Sequence, residues 1–351
     1  MLVFSFIRLL IAVAVLGILI VIHEFGHFIV AKLFNIKVTE FFLGLPGPKL
    51  WFFQRGETTY GVTSIPFGGY VKMVGSELGD EEVSKEDEPR SFLAAKFYKK
   101  VLVILAGPFM NLMLAFIVFA LTLLSFKVIP YKITNKIGQV QAKNPAAIAG
   151  VKKDDTIIAV NNEPTKTWTK LKKEISSKPN QAINLNVRRD SKMLKIRVKT
   201  AVRDKKGFLG ISPVALTRRA SLGEAIKNSA QTIWEITYKT YEVIFRAITG
   251  RPGQLLTGSR GPIGIVREIA RFAESIISLL FIFSVINVAV AIINLLPMPP
   301  LDFGRVVLLT FEKLKGSPLK KQTAIAVNGI GMALLLMLLA YVTYRDIARF
   351  F

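Results

Sequence analysis

The chain has no cysteine and only two histidines among its 351 residues. The absence of cysteine excludes a disulfide framework and a zinc site held by thiolates. Both histidines, His23 and His27, stand in one short run, so no other imidazole is available for metal binding. Any further protein ligand to a metal held by these two residues must therefore be a carboxylate.

The run His23-Glu24-Phe25-Gly26-His27 has the spacing of a metal site on a helix. Positions i and i+4 lie on the same helix face, so both imidazoles can bind one Zn²⁺ at roughly 2.0–2.1 Å. Glu24, which lies between them, can act as a general base towards water at the metal. The alternative is a pair of core histidines with structural hydrogen bonds only. We interpret the run as a zinc site, because it takes both of the chain's histidines.

This motif lies inside a long apolar segment. Residues 9–22 are all apolar and lead directly into His23, and a second apolar run follows His27. A bilayer span needs about 20 predominantly apolar residues, and ionisable groups inside a span mark functional sites. Hydrophobic residues make up 51% of the chain, and its mean hydropathy is +0.43. The sequence therefore predicts a metal site within a membrane.

Three more uncharged runs can cross a bilayer, at residues 101–126, 276–297 and 324–344. Four spans put both termini on the same side of the membrane. The short loop 298–323 is rich in Lys and Arg, so the positive-inside rule puts this loop in the cytoplasm and both termini outside. The segment 127–275 is then also outside, although it carries 29 Lys or Arg against 11 Asp or Glu. Long translocated segments escape the rule.

Two regions between the spans predict additional structure. Residues 36–75 contain four runs rich in β-branched and aromatic residues, at 36–43, 49–54, 58–65 and 68–74. Residues 133–200 predict a small α/β domain with strands at 156–160, 182–189 and 194–199 and a helix at 167–176. An open β edge in this domain would suit peptide docking, and a plain spacer is the alternative. A helix over residues 221–247 is too polar to span and is predicted to lie on the membrane surface or against the spans.

The best candidate for the missing zinc ligand is Asp302, which follows the third span. Prolines end that span, and non-helical backbone at a membrane is tolerated only where protein or a water cavity surrounds it. The alternative is that Asp302 caps a helix over residues 303–313. It could also serve both roles.

Five motifs occur in order along nearly the whole chain. Together they resemble the site-2 protease family of intramembrane zinc metalloproteases, specifically the bacterial RseP/RasP type with an extracytoplasmic PDZ domain. The motifs are the zinc run at 23–27, PFGGYVKM at 66–73, AGPFMN at 106–111, GPI at 261–263, and the run from Asn294 to Leu301-Asp302.

The resemblance implies one Zn²⁺ per chain, held by His23, His27 and Asp302, with Glu24 as the catalytic base. The family usually has Leu-Asp-Gly at the third ligand, whereas here Phe303 follows Asp302. The conformational freedom of a glycine is therefore absent at position 303.

The resemblance also implies how substrate is held. A membrane-embedded β element that includes Gly68, Gly69 and Tyr70 would receive the substrate as an added strand, and Asn294 would hold the unwound substrate near the metal. Either the run 58–65 or the run 68–74 is expected to present the open edge.

The implied fold is a polytopic α-helical membrane protein with four transmembrane helices, a membrane-associated β element and an inserted extracytoplasmic PDZ-like α/β domain. The predicted division is an N-terminal catalytic membrane part at 1–126, a single PDZ-like domain at 127–212, amphipathic helices at 213–275 and a C-terminal membrane part at 276–351.

The implied function is that of a zinc-dependent endopeptidase in the bacterial cytoplasmic (inner) membrane. It would cut single-span membrane proteins, such as anti-sigma factors or remnant signal peptides, in or near their membrane segments, and the PDZ domain would filter or dock them. A membrane metal-ion transporter and a catalytically silent binding protein are the alternatives. The net charge of +23 indicates attraction to anionic lipid head groups or a simply solvated face rather than nucleic-acid binding.

Overall fold

The computed structural model describes residues 2–76, 83–203, 205–250, 261–273 and 275–348. The chain divides into two compact units. The first comprises Met1–Thr122 and Gly223–Phe351, and the second comprises Leu123–Leu222. The first unit contains the predicted spans and zinc motif, and the second contains the predicted α/β domain.

The helices of the described residues run in the following order: α1 (Leu2–Leu33), α2 (Phe97–Ser125), α3 (Pro145–Ile148), α4 (Trp168–Ser176), α5 (Leu222–Ile248), α6 (Pro262–Phe272), α7 (Ile276–Asn294), α8 (Asp302–Lys315) and α9 (Lys321–Ala348).

The strands run in the order β1 (Val38–Arg55), β2 (Thr58–Met73), β3 (Ile129–Val140), β4 (Thr156–Val160), β5 (Glu163–Pro164), β6 (Ala182–Arg189), β7 (Lys192–Lys199), β8 (Ala201–Arg203), β9 (Lys206–Phe208) and β10 (Ile211–Arg218).

Helices α1, α2, α7 and α9 are long and apolar enough to cross a bilayer. Helix α7 ends at Asn294, before the predicted end at residue 297, since Pro297 cannot continue a helix. Helix α9 runs beyond the predicted span 324–344 at both ends, because polar residues extend a helix past its apolar stretch.

The β element differs from the prediction of four separate short strands. Its two strands, β1 and β2, are long and strongly bent, and each covers two of the predicted runs. The Gly and Pro residues between the runs bend the chain without ending the strand. At Gly44 the backbone has φ +103°, and a Cβ there would stand 2.2 Å from Thr63 Oγ1. This bend requires glycine.

Because both strands bend, four strand segments lie side by side. Residues 40–43 pair with 69–72 on one side and with 59–62 on the other, and 59–62 also pair with 51–54. The run 58–65 therefore lies in the interior of the sheet. Among the described residues, the run 69–73 pairs on one side only and forms an edge.

The turn between β1 and β2 is fixed to the end of α1. Glu57 in this turn accepts two hydrogen bonds from Arg90, at 2.8 Å each, and one from Lys32 at 2.7 Å. These cations lower the pKa of Glu57 to about 2. The carboxylate is charged at any physiological pH, so the β element is held against the helix that carries the zinc motif.

The second unit is a small domain around a mainly antiparallel sheet with the order β10-β3-β4-β6-β7, and β5 pairs with β4. Ile157, Leu171 and Leu185 are among its fully buried core residues. Asp155 is also fully buried, and it accepts hydrogen bonds from Arg189 and from the Lys152 N–H. The acidic residue of this turn thus has a structural role.

Helix α5 packs against the spans, which is one of the two predicted placements. Its Ile233 and Ile236 join Phe119 of α2 and Val288 of α7 in one apolar cluster. Leu222 and Ile226, near the beginning of this helix, are exposed.

Candidate metal centre

The two histidines of α1 face each other through the same ring nitrogen. Their Nε2 atoms are 3.3 Å apart. On the far side of the His27 ring, Nδ1 lies 2.9 Å from the carbonyl oxygen of Val103 in α2. A carbonyl only accepts hydrogen bonds, so His27 Nδ1 carries the proton and its Nε2 keeps a free lone pair. His27 is thereby in the tautomer that binds metal through Nε2.

The carboxylate of Asp302 lies beside the Nε2 atoms of both histidines. Its Oδ2 is 3.0 Å from His23 Nε2 and 3.7 Å from His27 Nε2. It is the first residue of α8, whose N-cap is Leu301, so the alternative of Asp302 as an N-cap residue is wrong. Gly304, one residue later, lets α8 approach the preceding loop closely, because a Cβ on Gly304 would stand 2.3 Å from the backbone of Met298.

The arrangement of these three side chains fits a zinc ion. Ligand atoms of His23, His27 and Asp302 all lie within 4.8 Å of one another. Atoms bound tetrahedrally at roughly 2.0–2.1 Å are about 3.3 Å apart, which matches the spacings here. Asp302 Oδ2 is buried and lacks a hydrogen-bond partner among the described residues. Lone pairs converging in a buried place need a cation between them.

Gly107 of α2 leaves the space that a metal would fill. A Cβ at this position would stand 2.4 Å from His27 Nε2 and 2.8 Å from His23 Nε2. Any side chain here would therefore occupy the side of the imidazoles that faces the metal. The role of this glycine is to keep α2 close to α1 without covering the ligand nitrogens.

Gly107→Ala is therefore expected to abolish stoichiometric zinc binding, although Gly107 is not itself a ligand. The purified variant should contain little zinc by elemental analysis. Gly17→Ala is the matched control, because a Cβ at Gly17 of α1 has nothing within 4 Å, and its zinc content should equal that of the wild type. A Gly107→Ala protein with full zinc content would contradict the assignment of the two Nε2 atoms.

The ligand cluster opens into a cavity of about 590 Å³, within the range for ligand pockets. Glu24, Asn294 and Tyr70 line it together with the three ligand candidates. Asn294 donates its amide N–H to the carbonyl of Val290 at 3.1 Å. Gly68 is not in the wall of this cavity as the described residues form it.

The edge segment 69–73 runs along the same cavity. The backbone of Gly69 lies against Glu24, since a Cβ there would stand 2.9 Å from Glu24 Cγ. Val71 and Met73 also line the cavity. Of the two runs expected to present an edge, it is the run 68–74 that meets the metal centre.

Sequence reasoning missed several polar residues of the site. Lys100, Arg305 and Glu312 line the cavity, and the carbonyl of Val103 orients His27. Arg305 lies one turn after Asp302 on α8, which is the one local signal that could have found it. Glu312 also lies on α8, whereas Lys100 and Val103 belong to α2, whose approach to α1 no local spacing encodes.

The fold and the site define a membrane-embedded metallopeptidase. The model of peptidase family M50 matches residues 11–338. A zinc metalloprotease RasP from Geobacillus kaustophilus is 29% identical, with 97% of both chains covered. A regulator of sigma-W protease RasP from Bacillus subtilis is 26% identical, covering 97% of this chain and 98% of that one. A Clostridium acetobutylicum protein provisionally named a zinc metalloprotease is 33% identical, with 98% of both chains covered.

Among solved structures, a PDZ domain of an SdrC-like protein from Listeria monocytogenes aligns with a TM-score of 0.21 and 22% identity. It covers 25% of this chain and 94% of that one. The chain belongs to peptidase family M50, the site-2 proteases, and is an intramembrane zinc metalloprotease.

Proposed function

We propose that His23, His27 and Asp302 hold the zinc ion and that Glu24 is the catalytic base. The observation that carries this proposal is the convergence of three ligand atoms from α1 and α8, which are far apart in sequence, in a cavity that Glu24 also lines. The site lies on a helix that can span the bilayer, so the peptide bond is cut in or near the membrane.

Zinc bound at this site supplies a Lewis acid that polarises the scissile carbonyl and lowers the pKa of water. Glu24 takes the proton of the attacking water on a carboxylate oxygen and returns it to the leaving amide nitrogen. Lys100 and Arg305 give the cavity a polar wall. These groups keep water beside Glu24 in a region where the bilayer supplies none.

The edge segment 69–73 receives the substrate as an added strand. The carbonyls of a transmembrane helix are hydrogen-bonded within the helix, so the helix must unwind before its peptide bonds can be attacked. Pairing with the edge segment replaces the hydrogen bonds that are lost on unwinding. At its end, the Val74 N–H donates to Lys37 O at 3.0 Å, on the side of β1. Since N–H groups alternate along a strand, that of Val71 is directed to the open side. Asn294 holds the unwound segment near the metal.

Val71→Pro is expected to lower cleavage strongly while zinc content stays normal, because proline removes the outward N–H. Val71→Ala is the matched control: it shortens the side chain but keeps the N–H, and should retain most activity. A substrate whose helix is already destabilised should lose less, since it has fewer hydrogen bonds to recover. Equal cleavage by the two variants would remove the edge from the mechanism.

The substrates are single-span proteins of the bacterial cytoplasmic membrane. The Bacillus subtilis relative is named a regulator of sigma-W protease, which favours anti-sigma factors, and remnant signal peptides are a second class. Both termini and the unit Leu123–Leu222 lie outside, with the basic loop after α7 in the cytoplasm.

Comparing membrane proteins of wild-type cells with those of cells carrying Glu24→Gln would reveal substrates as single-span proteins that accumulate only in the variant. Unchanged profiles would contradict this proposal.

The outer unit is a PDZ-like domain that filters or docks substrates. Its terminal strands β3 and β10 pair so that Ile129 lies opposite Arg218, and a short linker can therefore replace residues 130–217. The shortened protein is expected to keep its zinc and to cut substrates with large outer domains before these are trimmed. If trimmed and untrimmed substrates change equally, the domain is a spacer.

A further inference from the structure

A fully buried asparagine of α2 contacts one of the zinc-site histidines. Asn111 has no exposed surface, and its Nδ2 lies 3.3 Å from His23 Nδ1. Its Oδ1 is buried and has no hydrogen-bond partner among the described residues. An amide buried in an apolar helix with part of its hydrogen-bonding capacity unmet is costly.

Other asparagines in apolar helices donate their amide hydrogen bonds within their own helix. Asn287 and Asn294 of α7 and Asn328 of α9 each donate Nδ2 to the carbonyl four residues earlier, at 3.0–3.1 Å. Asn111 is turned towards His23 instead. Helix packing alone gives no reason for this orientation, and a leucine of similar volume would fit an apolar helix at lower cost.

The chemistry of His23 supplies the reason. Its Nε2 faces His27 and Asp302, so this nitrogen must be unprotonated to bind a metal. The proton of the neutral ring then lies on Nδ1 and needs an acceptor. Val103 O is the acceptor for His27, and Asn111 occupies the corresponding place behind His23. Rotating the side-chain amide by 180° exchanges the positions of Oδ1 and Nδ2, so that Oδ1 accepts the hydrogen bond from His23 Nδ1–H.

We propose that Asn111 is a positioning residue of the metal centre, whose Oδ1 accepts the hydrogen bond of His23 Nδ1–H and so fixes the tautomer that binds zinc through Nε2. This inference rests on the proposed role of His23 as a ligand. Acceptors behind ligating histidines fix ring orientation and raise ligand basicity, and their loss costs about 10–100-fold in metal affinity or activity.

The test uses the full-length protein in detergent and measures zinc release to an excess of chelator. Asn111→Leu is expected to release zinc about 10–100-fold faster than the wild type. Asn111→Asp offers only acceptor atoms to His23 and should hold zinc within a few-fold of the wild type. Asn287→Leu is the matched control, since Asn287 is also fully buried with an unpartnered Oδ1, and should release zinc at the wild-type rate.

The histidine tautomers can be read directly, because the chain has only two histidines and ¹⁵N-histidine labelling gives only four ring-nitrogen signals. In the zinc-loaded wild type, both Nδ1 atoms should be protonated and both Nε2 atoms metal-bound. In Asn111→Leu, the His23 Nδ1–H signal should shift and exchange faster while that of His27 stays unchanged.

Different results would contradict the assignment of His23 as a ligand and the role of Asn111. A wild-type protein without a metal-bound His23 Nε2 contradicts the ligand assignment itself. If His23 Nε2 is metal-bound, then an Asn111→Leu protein with wild-type zinc release and an unchanged His23 signal overturns the role of Asn111 alone. Release from Asn111→Asp as fast as from Asn111→Leu also overturns it, since a structural amide or a donor would behave in that way.

Discussion

Replacing Glu24 by glutamine is expected to leave zinc bound and to lower peptide-bond cleavage by about 10²–10⁴-fold, the usual contribution of a general base. Glutamine has nearly the same shape but cannot take the proton of the attacking water. The measurement is cleavage of a purified single-span substrate in detergent, with zinc content determined on the same preparation. The variant should retain bound substrate, because capture and metal binding use other residues.

Glu312→Gln is the control for this experiment. Glu312 lines the same cavity and accepts the N–H of Leu319 at 2.9 Å, a bond that a glutamine oxygen can keep. Its cleavage rate should stay near that of the wild type. Comparable losses in both variants would mean that the cavity's charge, rather than a base at position 24, limits the reaction.

Replacing Asp302 by alanine is expected to remove zinc from the purified protein. The variant lacks the only carboxylate among the three converging ligands and leaves two histidines at a site that needs at least three protein ligands. The loss of affinity should exceed the roughly 10–100-fold that follows loss of a hydrogen-bond partner behind a ligand. His23→Ala and His27→Ala should behave in the same way.

Asp346→Asn serves as the control for loss of a buried carboxylate. Asp346 is 3% exposed and accepts the backbone N–H of Gly264, which an asparagine oxygen can also do. This variant should keep its zinc. Normal zinc content in Asp302→Ala would require a different third ligand.

Elements with a regular apolar pattern could be predicted closely from the sequence. The strand Thr156–Val160 and the strand Ala182–Arg189 have the predicted bounds. The first is a short apolar run before a turn, and the second alternates between buried and exposed residues, and both patterns are local properties of the sequence. The predicted breaks in the β element are wrong. Gly44 supports a bend that keeps both halves of β1 in one continuous strand, and such continuity depends on the pairing with β2.

The residues of the site likewise divide into those that a local sequence pattern predicts and those whose role depends on tertiary packing. His23, Glu24 and His27 follow from helical spacing, and Asp302 follows from its place at the end of a span. Gly107 was part of a motif without an assigned role, because its function depends on how closely α2 approaches α1. The same approach gives Asn111 its contact with His23, and in the sequence Asn111 is only the last residue of the same motif, likewise without an assigned role.

The central claim is that a zinc ion held by α1 and α8 supports peptide-bond cleavage within the membrane. The most direct test is to incubate the purified protein with a single-span substrate and to map the products by mass spectrometry, before and after zinc removal and zinc restoration. We predict cuts in or next to the membrane segment that stop with the chelator and return with zinc. Cuts confined to the substrate's soluble domain, or cleavage that persists without zinc, would contradict the account.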